Sequence, residues 1–306
     1  MESNHNHQHE EPITFENGKV YFFICFALVS GGKTTFYDYI RNNDEIKSKY
    51  NLFYVSSDQL RNQLTEEYHN EHNDLSLQEC FDKVGIKTAK LFDKKIKDFI
   101  NKKSNDKPNI VLVDKNYPNG IDKFWNTFCK DIDNTKIIAF IPQMSKHIKF
   151  KDNNDSNSNN NNDKVKYIRY PYSFDYIVQC YLRLLHRSGH ENLNGESENA
   201  GFVFISFLRL FQNFNFNYIA NGRKNVITKH ITFSDETKDI TFGEEEEMFF
   251  RDVLVPMKPF DFLLIKEKYQ ERIDTFLKSI IEKYDKEGLF NNTIEDVQNE
   301  IKNLLL

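Results

Sequence analysis

Residues Val20 to Arg41 constrain this chain more than any other stretch, because an apolar run passes through a short glycine-bearing turn directly into a helical pattern. Val20, Tyr21, Phe22, Phe23, Ile24, Cys25, Phe26 and Ala27 are almost continuously apolar, as a strand buried on both faces of a parallel sheet must be. Ser30, Gly31, Gly32, Lys33 and Thr34 then occupy the last five places of the phosphate-loop pattern G-x-x-x-x-G-K-S/T, with Ala27 where that pattern has its first glycine. Small residues let backbone N–H groups converge on phosphate oxygens, a lysine reaches the outer phosphates, and a hydroxyl can serve Mg²⁺. Thr35 follows in the first turn of the helix, whose positive dipole end faces a bound anion.

The chain has 306 residues, enough for one large or two small domains, and its 39% hydrophobic and 14% aromatic content suits a globular core. Lys and Arg total 41 against 46 Asp and Glu, a net charge of −5, so any nucleic-acid substrate must meet a local basic patch. Cys25, Cys80, Cys129 and Cys180 lie far apart, without metal-finger spacing, and read as reduced intracellular thiols. Residues 1–15 read as a disordered polar tail in which His5, His7 and His9 alternate; with neither a signal nor a transit pattern, a cytoplasmic or nuclear protein is expected.

Residues 151–164 form an asparagine-rich insert expected to be disordered, dividing a core at 16–150 from a lid and C-terminal part of the same domain at 165–306. Before it the pattern predicts strands at Val20–Ala27, Asn51–Ser56, Asn109–Val113 and Lys136–Ile141. Helices are predicted at Thr34–Arg41, Gln59–Thr65, Leu77–Ile100 and Ile121–Phe128. After it helices are predicted at Ser173–Arg187 and Phe202–Phe214, a strand at Val226–Phe233, and two terminal helices, the first carrying Ile273, Phe276, Leu277 and Ile280. The fold class is α/β, a parallel sheet flanked by helices of the P-loop NTPase kind with a helical lid. The Glu244–Glu247 run reads as a solvated loop or helix start.

Three further segments carry candidate chemistry. Asp58 falls just past the second strand, where ligands sit in open α/β sheets, with Arg61 one turn later. There a carboxylate can accept the proton of an attacking hydroxyl and a guanidinium can hold an anionic group, whereas the alternative is a helix cap and a solvated charge. The third strand ends in Asp114-Lys115-Asn116, where Asp114 can orient Mg²⁺ and Asn116 can touch an acceptor, or both can simply build a turn. Arg183 and Arg187, four apart, could close over a triphosphate or lie in solvent, and a structural or solvent role is expected of His186 and His190.

Taken together, GGKTT, the D-x-x-R of Asp58 and Arg61, the strand-terminal DKN and the Tyr-rich entry to an Arg-bearing lid resemble the kinase domain of fungal- and plant-type tRNA ligases, over roughly Val20 to Phe214. More distantly they resemble phage-type 5′-hydroxyl polynucleotide kinases. The resemblance implies transfer of the γ-phosphate of ATP or GTP, with Mg²⁺, to RNA bearing a 5′-OH end. It implies Lys33 on the outer phosphates, Thr34 on the metal, Asp58 as general base, Arg61 on the phosphate flanking the acceptor and Arg187 as the lid arginine. Without the ligase module that precedes this kinase in those enzymes, RNA sealing is not expected; His147 and His230 are isolated, without the paired H-x-T/S signature of a phosphodiesterase. Lys115, Arg183, Arg187 and Arg209 are candidate RNA contacts. A P-loop kinase for a small metabolite and a non-catalytic nucleotide-binding module are the alternative readings.

Overall fold

The structure, a computed structural model, describes residues 14–118, 120–130, 132–144, 172, 174–187, 193–211, 216–220, 222–223, 225–234, 253–256, 267–276 and 278. The asparagine-rich insert, the Glu244–Glu247 run, the histidine-bearing tail and the second terminal helix lie outside these residues.

The chain alternates strand and helix through most of its length. Strand β1 (Val20–Cys25) leads to helices α1 (Lys33–Asn42) and α2 (Asp44–Lys49), then to β2 (Asn51–Ser56). Helices α3 (Ser57–Glu71), α4 (Leu77–Lys83) and α5 (Gly85–Asn101) precede β3 (Asn109–Asp114), and α6 (Asp122–Phe128) precedes β4 (Thr135–Met144). The second half contributes α7 (Phe174–His186), α8 (Ala200–Leu210), β5 (Val226–Ser234) and β6 (Val253–Pro256), with a further helix over 267–276. The six strands form one sheet in the order β2-β3-β1-β4-β5-β6, and every neighbouring pair is parallel. This is an α/β fold with an all-parallel sheet flanked by helices.

The strand positions follow from burial. All residues of β1 and β3 are buried, which suits strands covered on both faces by helices. Phe23 of β1 pairs in register with Leu112 and Ile138, and its ring meets Phe140 edge-on at 5.1 Å, so the aromatic core lies at the middle of the sheet. The strand order reverses around β1: the chain passes from β1 outward to β2, returns to β3, then crosses to β4 on the other side. Ligands of open α/β sheets bind beyond the carboxyl ends of the strands at such a reversal.

Two elements depart from the sequence pattern. The long helix expected over Leu77–Ile100 is two helices, α4 and α5, because Val84 ends one and begins the other and Gly85 lowers the helical propensity at the join. Helix α2 and strand β6 went unpredicted; α2 is only six residues and begins with an Asn43 cap, whose side chain accepts from the Ile46 N–H. The expected first terminal helix is present over 267–276, and its Phe276 stacks on Tyr181 of α7 at 3.8 Å. The four cysteines are reduced and buried, and burial pushes the Cys25 and Cys129 thiols up to about 12. Among the described residues no helix is long and apolar enough to cross a membrane.

At the edge of the sheet opposite the strand carboxyl ends, Asn109 is fully buried. Its carbonyl accepts from Asn51 Nδ2 at 2.7 Å and from the Ser104 N–H at 2.8 Å. Its amide lies within hydrogen-bond distance of the Lys19, Ser104 and Lys107 carbonyls. One side chain thus closes the loop after α5 and aligns the starts of β1, β2 and β3. Asn109→Ala leaves several buried groups without partners and is expected to lower stability by about 2–3 kcal/mol, read as a lower urea midpoint with an unchanged slope. An unchanged midpoint would show that water replaces the amide without loss.

Candidate phosphate-binding site

The residues between β1 and α1 make a tight turn. The Gly31 N–H donates to the Leu28 carbonyl at 2.9 Å, Ser30 adopts a left-handed backbone (φ 58°), and Gly32 (φ 85°) begins α1. Left-handed backbone suits glycine and strains serine, and such strain gathers at binding loops. Ala27 does not have positive φ, so its methyl group is compatible with this turn; it is buried in the core. Ser30 Oγ is buried with no hydrogen-bond partner.

Tyrosines hold this turn from beneath. The Tyr37 hydroxyl on α1 accepts from the Cys25 N–H at 3.0 Å and lies 3.0 and 3.2 Å from the Phe23 and Val113 carbonyls, bridging β1 and β3. From the α7 side, Tyr172 donates to the Phe26 carbonyl at 2.6 Å and Tyr176 to the Gly31 carbonyl at 3.1 Å. Burial pushes all three phenols well above their ordinary range, so they act as neutral donors. A Cβ at Gly31 would lie 2.1 Å from the Tyr176 hydroxyl and 2.9 Å from the Leu28 carbonyl, and so cannot be accommodated. Gly31→Ala is therefore expected to cost about 1–3 kcal/mol of stability and to weaken binding of a nucleoside triphosphate, measured by thermal denaturation and by fluorescent-nucleotide titration. Unaltered affinity would remove the turn from the site.

The strand register brings the other candidates to the same rim. Ser56 pairs with Asp114, so the ends of β2 and β3 are level, and Asp58 starts α3 two residues beyond that pairing. Asp114 is the centre of the cluster: Lys33 Nζ lies 2.5 Å from Oδ1, Tyr54 donates to Oδ2 at 2.6 Å, and Thr34 Oγ1 reaches Oδ2 at 3.5 Å. Asp114 is mostly buried, and the charge-assisted contacts offset its removal from water. Asp58 is exposed in the first turn of α3; the cap is Ser56, whose Oγ accepts from the Gln59 N–H, so Asp58 is not spent on capping. Thr35 follows Thr34 in the first turn of α1.

Arg187 follows the last residue of α7. Burial lowers its guanidinium from the ordinary value, and the negative charges of Asp58 and Asp114, both within electrostatic range, oppose that shift. Arg183, one turn earlier, is half-buried and likewise lowered, chiefly by burial, but its neighbours are Tyr176 and Cys180. The two arginines therefore have different environments, and Arg187 is the one that senses the Asp58–Asp114 rim. Asn116 lies just past β3 with its side-chain oxygen buried and unpartnered. Arg61 is engaged elsewhere: Nε and Nη2 donate to the Phe81 carbonyl at 3.2 and 3.0 Å, and the guanidinium lies 3.6 Å over the Phe81 ring, clasping α3 to α4. His186 is exposed, and Arg209 is exposed on α8. His147 and His190 lie outside the described residues.

Tyr54 was not among the expected site residues. It belongs to a strand that reads as core, and only the register of β2 against β3 aims its hydroxyl at Asp114. Burial, followed by the Asp114 charge, raises its phenol well above the usual range, so it remains a donor. Tyr54→Phe should lower stability by about 1.5–3 kcal/mol, the worth of a hydrogen bond to a charged group, and should raise the Mg²⁺ concentration needed for nucleotide binding. Identical Mg²⁺ dependence in the variant would reduce Tyr54 to packing.

Among the described residues there is no cluster of three or more His, Cys, Asp or Glu that could hold a metal. The Thr34 hydroxyl and Asp114 carboxylate, 3.5 Å apart, nevertheless suit Mg²⁺, a hard cation that takes few protein oxygens and keeps waters or substrate phosphates in its remaining positions. No family model matches the chain, and no curated protein matches it.

Proposed function

We propose that the chain is a P-loop phosphotransferase, a polynucleotide 5′-hydroxyl kinase that moves the γ-phosphate of ATP or GTP to the 5′-OH end of RNA. The observation that carries this reading is the convergence on one sheet rim of Lys33, Thr34 and Asp114 with Asp58 and Arg187. The acceptor class comes from the resemblance of these motifs to tRNA-ligase kinase domains.

In this reading the turn N–H groups and Lys33 bind the triphosphate, Lys33 leaving Asp114 for the outer phosphates. Thr34 and Asp114 would hold Mg²⁺, which when bound neutralises charge on those phosphates. Asp58, free of a capping role, takes the proton of the RNA 5′-hydroxyl. That oxygen forms a bond to the γ-phosphorus as the bond from the γ-phosphorus to the bridging oxygen breaks, and the nucleoside diphosphate leaves. Arg187 faces the charge that develops on the transferred group, and Asn116, with its unpartnered oxygen, contacts the acceptor.

One observation removes a support of the RNA acceptor, since Arg61, expected on the phosphate flanking the RNA end, donates to the Phe81 carbonyl, and a P-loop kinase for a small metabolite is the second reading. The two readings separate in one assay. With labelled γ-phosphate on ATP or GTP, Mg²⁺ and a short 5′-OH RNA, wild type should label the RNA. Asp58→Ala should lower kcat about 10²–10⁴-fold while nucleotide binding persists, and Lys33→Ala should lose both. Transfer to small hydroxyl acceptors but not to RNA would select the second reading, and unimpaired transfer by Asp58→Ala would falsify Asp58 as the base.

A further inference from the structure

Helices α4 and α5 carry a charge pattern unlike the rest of this net-acidic chain. Lys83, Lys87, Lys90, Lys94 and Lys97 recur at intervals of four, three, four and three residues, and all five are exposed. Such intervals keep side chains on one face of a helix, so the five ammonium groups form a single stripe about 20 Å long at 1.5 Å of rise per residue. Val84, which joins the two helices, has right-handed helical backbone, so Lys83 continues the α5 spacing. The opposite face is the core face, where Thr88, Phe92 and Ile96 are buried and Phe99 stacks on Phe53 of β2 at 4.8 Å. Among the described residues none of the five lysines is ion-paired, whereas Lys47 and Lys49 of α2 pair with Asp44 and Glu45. Acidic groups lie at its end and along its edges: Glu79, one turn before Lys83, is within electrostatic range of it, half-buried Asp93 lies beside Lys94 and within electrostatic range of Lys115, and Asp82 and Asp98 are exposed beside the stripe.

The stripe begins beside the arginine that clasps α3 to α4, and its middle passes the residue after Asp114. Gly85 opens α5 with its Cβ position 4.0 Å from Arg61 Nη2, and Lys115, next to Asp114, extends its ammonium to 5.1 Å over the Phe92 ring. From that end α5 runs down the outside of the sheet toward the start of β3. A row of unpaired lysines offers point charges on flexible stems, which bind phosphates without reading bases. No exposed aromatic residue interleaves it, so base stacking is not part of the contact.

We infer that the lysine stripe of α4 and α5 is a docking track for the phosphate backbone of single-stranded RNA, holding the body of the strand while its 5′ end reaches the Asp58–Asp114 rim. The contact is sequence-independent and salt-sensitive. The position of the RNA end rests on the kinase reading; polyanion binding by the stripe does not.

The test is equilibrium binding of the full chain to a fluorescent 5′-OH oligonucleotide RNA without nucleotide, titrated in salt. It compares wild type with Lys87→Gln/Lys90→Gln/Lys94→Gln and with Lys49→Gln/Lys130→Gln/Lys278→Gln, which removes the same charge elsewhere. The stripe variant should bind at least about tenfold more weakly at low salt, and its slope of log K against log salt should be shallower by about 2, three contacts at roughly 0.7 each. The control should bind as wild type does. Circular dichroism establishes that both are folded, and the single Lys90→Glu variant, which alters only one exposed side chain, should also bind more weakly. Equal losses in the two triple variants would overturn the track in favour of net charge, and no loss in the stripe variant would overturn it outright. Transfer assays on the same proteins separate the two ideas. Stripe-dependent RNA binding without any transfer would overturn the kinase reading alone. Transfer to RNA unaffected by the stripe substitutions, with binding equally unaffected, would overturn the track alone.

Discussion

A buried carboxylate at the end of the third strand organises the candidate site. Asp114 is tied at once to the lysine of the turn, to a tyrosine of the neighbouring strand and, more loosely, to the first threonine of α1. An unpaired charge so little exposed would be strongly destabilising, so these partners must hold position around it. Because its partners come from α1 and β2 while it ends β3, the carboxylate ties together the three elements whose ends make the rim. The same arrangement gives the site a chemical choice. On the proposed reading Lys33, whose ammonium has three donors, turns from Asp114 toward the outer phosphates when a nucleotide enters.

Neutral tyrosines complete the scaffold. Tyr37, Tyr172 and Tyr176 each place a hydroxyl, with its phenol pushed above the ordinary range by burial, on backbone carbonyls of β1 or of the turn that follows. Hydroxyl donors on long rigid rings satisfy buried carbonyls without introducing charge. Tyr176 also occupies the space a side chain at Gly31 would need, so the turn and α7 are matched in shape. Tyr172 and α7 are thus joined to the end of β1 and to the turn by direct hydrogen bonds, while Arg187 lies within electrostatic range of Asp58 and Asp114.

The sequence was readable where a local rule sets the structure. Fully apolar runs marked β1 and β3, the GGKTT segment marked the turn, and apolar periodicity marked α7 and the 267–276 helix. Legibility failed where pairing or surroundings decide. Tyr54 looks like any core aromatic until β2 lies in register with β3. Arg61 keeps the spacing of a phosphate ligand, but the neighbouring α4 presents a carbonyl and an aromatic face that take its donors. Nothing local distinguishes Arg183 from Arg187, whose environments diverge only because Asp58 and Asp114 lie on Arg187's side. The four-residue β6 is too short to announce itself, and its pairing with β5 comes from the sheet already formed.

By itself the sequence determined that strands and helices alternate, that a glycine-bearing turn joins β1 to α1, and that acidic residues fall just past the second strand and at the end of the third, because burial on two faces, backbone freedom and strand termination are local requirements. The tertiary structure decided the strand order, the pairing of Lys33 with Asp114, the use of Tyr54 and the removal of Arg61 from the rim. Those depend on which elements become neighbours, and a carboxylate or guanidinium takes its role from the charges, donors and carbonyls that folding brings within a few ångströms of it.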